Sequence, residues 1–332
     1  MVKPNRAVRT PILLVALGCL GAVIALAGPP VAAAARTTAS VSLVAPFARN
    51  QPGMAWDGQA VLLFGGDNTG AYYNDTWRWT GTNWILMAPS RSPAPRAAMG
   101  MAYDAARGNV VVFGGLGFHG MLGDTWTWDG STWTKQHPGP PLPRPRSNPV
   151  MAYDVANQRV VLFGGYTQSG FLDDTWTWDG TKWTQMAPTT VPQKRADAGM
   201  AYDVAHHQTV MFGGDGLALY GGTGLWDGAD WSFANPVDAP AKRYGLSMAY
   251  DAARRNVVLF GGIAVGYFGD TWTWDGTNWS QQSPVTSPSP RIYSGMAYDQ
   301  ARSQVVLFGG SEAGFFGDTW TWDGANWTQR TG

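Results

Sequence analysis

Residues 243–279 read RYGLSMAYDAARRNVVLFGGIAVGYFGDTWTWDGTNW, and almost every position in that stretch recurs elsewhere in the chain. Leu246 to Tyr250 reads as a short strand, followed by a turn of small and basic residues through Asn256. Val257-Val258-Leu259-Phe260 is a continuous apolar run stopped by Gly261-Gly262, as expected of a strand covered on both faces. Asp270 to Trp274 is a third strand, in which Trp272 and Trp274 lie two apart and share one face. Asp275-Gly276 is a hairpin turn, since glycine accepts positive φ without steric cost, and Trp279 opens a fourth strand.

This block of about 49 residues is written six times between Arg49 and Gln329, with Gly-Gly pairs beginning at Gly65, Gly114, Gly164, Gly213, Gly261 and Gly309. Four short strands at a period near 50 predict an all-β, six-bladed β-propeller of four-stranded antiparallel blades. The blades are expected over approximately 47–88, 89–137, 138–187, 188–235, 236–283 and 284–331. Val41 to Pro46 resembles the end of a blade (compare Ile85 to Pro89) and is expected beside the last blade, helping to close the ring.

Residues 1–35 read differently. Lys3, Arg6 and Arg9 precede an apolar run from Pro11 to Ala27, and small residues end at Ala33-Ala34-Ala35. That is the layout of a cleaved secretory signal peptide, so the mature domain is expected to span 36–332, secreted and without a stable membrane span. An uncleaved anchor, or acylation at Cys19, are the alternatives. Cys19 is the chain's single cysteine, so the mature domain is expected to hold no disulfide and no thiolate metal site. Removing the leader's basic residues leaves a net charge of about −3, which does not suggest nucleic acid as partner.

The 18 tryptophans all fall at repeat positions, which points to blade packing before sugar stacking. Most aspartates also belong to the repeat, at the Tyr-Asp, Asp-Thr-Trp and Asp-Gly positions, where turn and capping hydrogen bonds account for them. The remaining acids are Asp67, Asp173, Asp197, Asp215, Asp230, Asp238 and Glu312. Among these and the histidines, Asp67, Asp215, Glu312 and His119 are the candidates for acid–base work. Asp67 and Asp215 fall in blades one and four, on opposite sides of the ring, and are expected to lie too far apart to act as a carboxylate pair.

Strand alternation places the loops between second and third strands on one face, together with the segments that join blades. Those loops carry Tyr72, Phe118, Phe171, Tyr220, Tyr267 and Phe315, which suit sugar or peptide contacts. Each first strand is also preceded by an arginine: Arg49, Arg96, Arg146, Arg195, Arg243 and Arg291. Two readings stand open: each arginine pairs with a repeat aspartate such as that of Asp-Thr-Trp, or the six form a basic ring that binds an anionic group. The fourth repeat has Gly222 and Gly224 where the others have Asp and Trp, so under the first reading one arginine loses its partner. The face near Gly222 is then expected to be notched and electropositive.

The Gly-Gly after an apolar strand, the later Trp and the Pro-Arg lead-ins (Pro95-Arg96, Pro145-Arg146, Pro290-Arg291) resemble the kelch repeat over residues 41–332. The resemblance implies a six-bladed kelch propeller of the superfamily that includes the central domain of galactose oxidase. It does not carry over that enzyme's radical-copper chemistry: the mature chain has no cysteine, and only His119, His137, His206 and His207 as histidines. No metal or cofactor is expected. N-acetylneuraminate epimerase, another exported kelch family, matches in repeat but in no catalytic motif. The Asp-Gly turns differ from sialidase Asp boxes, because Asp and Gly are adjacent. The expectation is a monomeric, secreted, non-enzymatic binding module for an extracellular glycan or protein. A sugar-active enzyme using the same pocket, or a structural wall protein, are the alternatives.

Overall fold

The computed structural model describes Ala45 to Arg330, all β and turn, as six four-stranded antiparallel sheets over 53–87, 100–135, 150–185, 199–234, 247–282 and 295–330. Each sheet takes its strands from one repeat in chain order, and the first strands of neighbouring blades face one another around the axis. The chain is therefore a six-bladed propeller with one blade per repeat. No helix among the described residues is long and apolar enough to cross a membrane. The expected leader over 1–35 and Cys19 lie outside the described residues. So do Val41 to Val44 of the segment expected to close the ring; Ala45 and Pro46 are not in a strand, and Ala45 packs on the core shared by blades six and one.

Blade five shows why the repeat folds this way. Ser247–Asp251, Asn256–Phe260, Thr271–Trp274 and Trp279–Gln282 pair in register, Phe260 opposite both Ser247 and Thr271. Val257 to Phe260 has no solvent exposure, because each blade's second strand lies between its own neighbours and two flanking blades. The tryptophans are the inter-blade mortar. In all six blades the Trp that opens the fourth strand donates its indole N–H to the first threonine of the preceding blade's third strand, at 2.9 Å. The same ring meets a phenylalanine of that blade, as Trp279 meets Phe212 with centroids 5.4 Å apart. These buried indoles combine large apolar burial with a satisfied polar edge.

Two further contacts lock the ring. The turn between first and second strands lays a side chain over the Gly of the next blade's hairpin: Arg107 on Gly180, Asn157 on Gly228, His206 on Gly276, Arg254 on Gly324 and Arg302 on Gly81. Any Cβ at those glycines would collide with the overlying group. His206 therefore takes the place that Arg107 holds in blade two, with Nδ1 2.7 Å from an Asp203 carboxylate oxygen. Between blades six and one, Arg49 N–H donates to Phe316 C=O at 3.0 Å and Gly310 N–H to Arg49 C=O at 2.9 Å. Among the described residues, closure thus relies on the same backbone junction that links the other blades.

Candidate functional site at the channel mouth

Five of the six arginines are structural. Arg49, Arg96, Arg146, Arg243 and Arg291 are buried and hold Asp75, Asp124, Asp174, Asp270 and Asp318 through paired contacts, Nη1–Oδ1 at 2.5–2.7 Å and Nη2–Oδ2 at 2.8–3.1 Å. The Nε–H donates to the carbonyl two residues back, and Nη1 also donates to the C=O of the first Gly of Gly-Gly. The first Trp of each Asp-Thr-Trp donates its indole N–H to the same carboxylate at 2.7–2.8 Å. Each fork clips the blade-joining segment to the third strand. Burial alone would raise Asp124 and Asp318, but the arginine and the indole outweigh it and hold both carboxyls below the usual range. The expectation of a ligand-binding ring at these five positions is corrected: their nitrogens are already engaged.

Arg195 is the exception anticipated from the fourth repeat. It keeps its bonds to Gln193 C=O at 2.9 Å and Gly213 C=O at 3.0 Å, but no carboxylate faces it. Tyr220 stacks on its guanidinium at 4.2 Å, and burial pulls its pKa down to about 10.

Where the blade-joining segments turn inward, the residue two after each arginine reaches the axis. Gln51, Ala98, Asn148, Asp197, Gly245 and Tyr293 all adopt left-handed backbone, with φ of 48–67°. Their amides form a closed circuit in which each N–H donates to the carbonyl of the preceding blade's member. Gln51 donates to Tyr293, Ala98 to Gln51, Asn148 to Ala98, Asp197 to Asn148, Gly245 to Asp197 and Tyr293 to Gly245, at 2.7–3.4 Å. This annulus rims the channel mouth, a depression of about 120 Å³. Left-handed backbone is costly for a non-glycine residue and persists only where the surroundings impose it. Here a hydrogen bond on either side imposes it.

The six side chains on this rim all differ, and the polar ones form two opposed pairs, Asn148 with Asp197 and Tyr293 with Gln51, separated by Ala98 and Gly245. The Asn148 side-chain amide donates to the Asp197 carboxylate. Burial raises the Asp197 pKa to about 7, opposed by that bond and assisted by the negative charge of Asp215. Burial, then Asp197, Tyr244, Asp215 and Asp67, push the Tyr293 phenol well above its usual range. Asp67 is half-buried, with burial raising its pKa, and its Oδ1 has no hydrogen-bond partner. Asp67 and Asp215 thus both contribute to raising the same phenol from their separate blades. Glu312 and His119 are exposed at loop tips.

The second-to-third strand loops are tighter than expected. In blades one to three they are small hairpins, such as Asp67–Asn68 paired with Ala71–Tyr72. Phe118 is exposed and meets Tyr72 edge-on at 5.1 Å, while Phe171 meets Tyr166 at 5.0 Å. Tyr267 is exposed and Phe315 half-buried, whereas Tyr220 is committed to Arg195. Sequence reasoning singled out Asp197 only as an off-repeat acid and missed the rim. Its signal was that the residue two after the arginine is never the same twice.

Below the rim the channel wall repeats strictly. Met54, Met101, Met151, Met200, Met248 and Met296 line it. Their sulfurs turn sideways toward the preceding blade, with Met101 Sδ lying where a Cβ on Gly53 would stand. The far mouth carries Trp56, Tyr103, Tyr153, Tyr202, Tyr250 and Tyr298.

No curated protein matches the sequence. Residues 54–227, just over half of the chain, match the family described as the KLHDC2/KLHL20/DRC7 Kelch-repeats domain. With that match and one four-stranded blade per repeat around a closed ring, the chain belongs to the kelch-repeat family, whose propellers typically serve as protein-interaction modules.

Proposed function

We propose that this protein is an exported binding module whose partner, an extracellular protein or cell-surface glycan, lies across the face that carries the channel-mouth rim. The carrying observation is where the six repeats differ. The positions one and two after the arginine, and the one after Gly-Gly, vary from blade to blade, and all stand on this face. The opposite mouth repeats Tyr in blades two to six and has Trp56 in blade one. Specificity for an asymmetric partner requires asymmetric side chains on a rigid support. The mouth, at about 120 Å³, is well below the roughly 300–1,000 Å³ of pockets that enclose a small ligand. A larger partner that lays a projecting group into the rim suits it better.

The test uses residues 36–332, with binding measured on intact cells, a glycan array and cell-surface protein extracts. Phe118→Ala with Tyr267→Ala should abolish capture, while Val155→Ser with Val204→Ser on the opposite face should leave it intact. The reverse pattern would place the interface on the wrong face. One feature favours a second reading, a sugar-active enzyme: on the rim that also carries Tyr293, burial raises the Asp197 carboxyl to about 7, the range that suits a general acid or base. Turnover of an acidic sugar that is lost in Asp197→Asn would support it. No turnover would leave the binding reading.

A further inference from the structure

We propose that Arg195 and the space over Gly222 form a binding slot for a carboxylate, built from the same parts that hold an internal aspartate in the other five blades. The proposal is independent of the channel mouth. In blade five the fork of Arg243 is aimed by Ala241 C=O and Gly261 C=O and grips Asp270 with both terminal nitrogens. In blade four the aiming contacts persist, to Gln193 C=O and Gly213 C=O. The carboxylate does not, because Gly222 stands where Asp270 stands in the next blade. Arg195 is 5% exposed, and its Nη2 makes no hydrogen bond to any described residue.

The site is preformed and open. A Cβ built on Gly222 would have no heavy atom within 4 Å, so the point from which an aspartate side chain springs in the other blades is open. The second loss, Trp to Gly224, removes the indole that covers the carboxylate in the other blades. The nearest atoms a Cβ there would meet are those of Met211 and Trp231, at ordinary contact distances of 3.4–3.5 Å. Tyr220 does not block the fork: Phe268 and Phe316 stack on Arg243 and Arg291 in the same way, at 3.8 and 4.0 Å, while both arginines hold carboxylates. A planar fork, buried and aimed with its partner missing, takes an anion through two oxygens, and the seat is the one that an aspartate carboxylate fills in the other five blades.

The experiment titrates residues 36–332 with acetate at constant ionic strength, following melting temperature and the Nε–H resonance of Arg195 by NMR. Chloride and inorganic phosphate serve as controls, and a blocked aspartate (N-acetyl, N-methylamide) forms a second arm. Acetate should raise the melting temperature saturably and shift the Arg195 resonance, with chloride and phosphate doing neither. Gly222→Asp should supply the missing carboxylate internally, raise the melting temperature without ligand and remove the acetate response. Response to acetate alone would assign the slot to a small free acid, and response to both arms would assign it to acidic side chains of a partner. An unmoved Arg195 resonance, an equal response to phosphate, or an acetate response retained in Gly222→Asp would overturn the proposal. The resonance reads the wild-type protein, so the test stands even if Gly222→Asp fails to fold.

Discussion

Replacing Asp318 by Ala in blade six should destabilise the ring by about 2–4 kcal/mol at pH 7. Arg291 is 1% exposed, and the substitution removes both of its charge-assisted contacts, at 2.6 and 2.9 Å, along with the acceptor for the Trp320 indole N–H. Breaking one side of a buried pair typically costs 3–5 kcal/mol. Two features lower the figure here: the Asp318 side chain is 20% exposed, and Arg291 keeps Ser289 C=O, Gly309 C=O and the Phe316 ring. At roughly 2–4 °C per kcal/mol for a domain of this size, the melting temperature should drop by about 5–15 °C. Urea unfolding of residues 36–332 measures the loss directly. The difference from wild type must also depend on pH with a definite sign. Asp318 has a depressed pKa in the folded state, so its contribution is present above the unfolded carboxylate value and fades as pH falls through the folded one. The gap between variant and wild type should therefore narrow below about pH 4. A loss under about 1 kcal/mol, or a gap that ignores pH, would refute the view that these forks clip the blade-joining segment to the third strand.

Gly309→Ala should cost roughly 2–4 kcal/mol, because φ is +71° and the new Cβ would stand 2.6 Å from Arg49 C=O at the closing junction; thermal unfolding checks it. Trp279→Phe should cost about 2–3 kcal/mol by leaving the buried Thr223 hydroxyl without its donor, and Trp279→Phe in a Thr223→Val background should cost less than the single losses add up to. Asp197 carries the opposite pH dependence to Asp318. Its folded pKa is raised to about 7, so the stability tied to its protonated form is complete below the unfolded value near 4 and is lost as pH rises through 7. A shift that large sets a ceiling of about 4 kcal/mol, and a side chain open on one side should show nearer 2. Denaturation curves for wild type and Asp197→Asn between pH 4 and 8 should diverge with that sign, and parallel curves would reject it.

Blade count, strand faces and the role of tryptophan were legible because they are written six times. A residue's burial in a blade follows from its place in a two-residue alternation and from its neighbours in the same 49-residue unit, which are local quantities. The loss of the repeat aspartate at Gly222 was legible for the same reason: a repeat states the rule, and a missing letter marks the exception. Which of the two arginine readings held was another matter, since buried forks and a ligand-facing ring have the same letters, and only the distances to Asp75, Asp124, Asp174, Asp270 and Asp318 separate them. The overlay of Arg107, His206 and Arg254 on the next blade's hairpin glycines was equally hidden, because it joins two repeats through side chains that differ. The rim was the least legible of all. Gln51, Ala98, Asn148, Asp197, Gly245 and Tyr293 share no chemistry, and in the letters only their place two after each arginine relates them. What groups them is the closed circuit of backbone hydrogen bonds, which exists only when six blades meet around one axis. The sequence by itself determined the blade and how many there are; the closing of the ring decided which unlike residues face one another at its mouth.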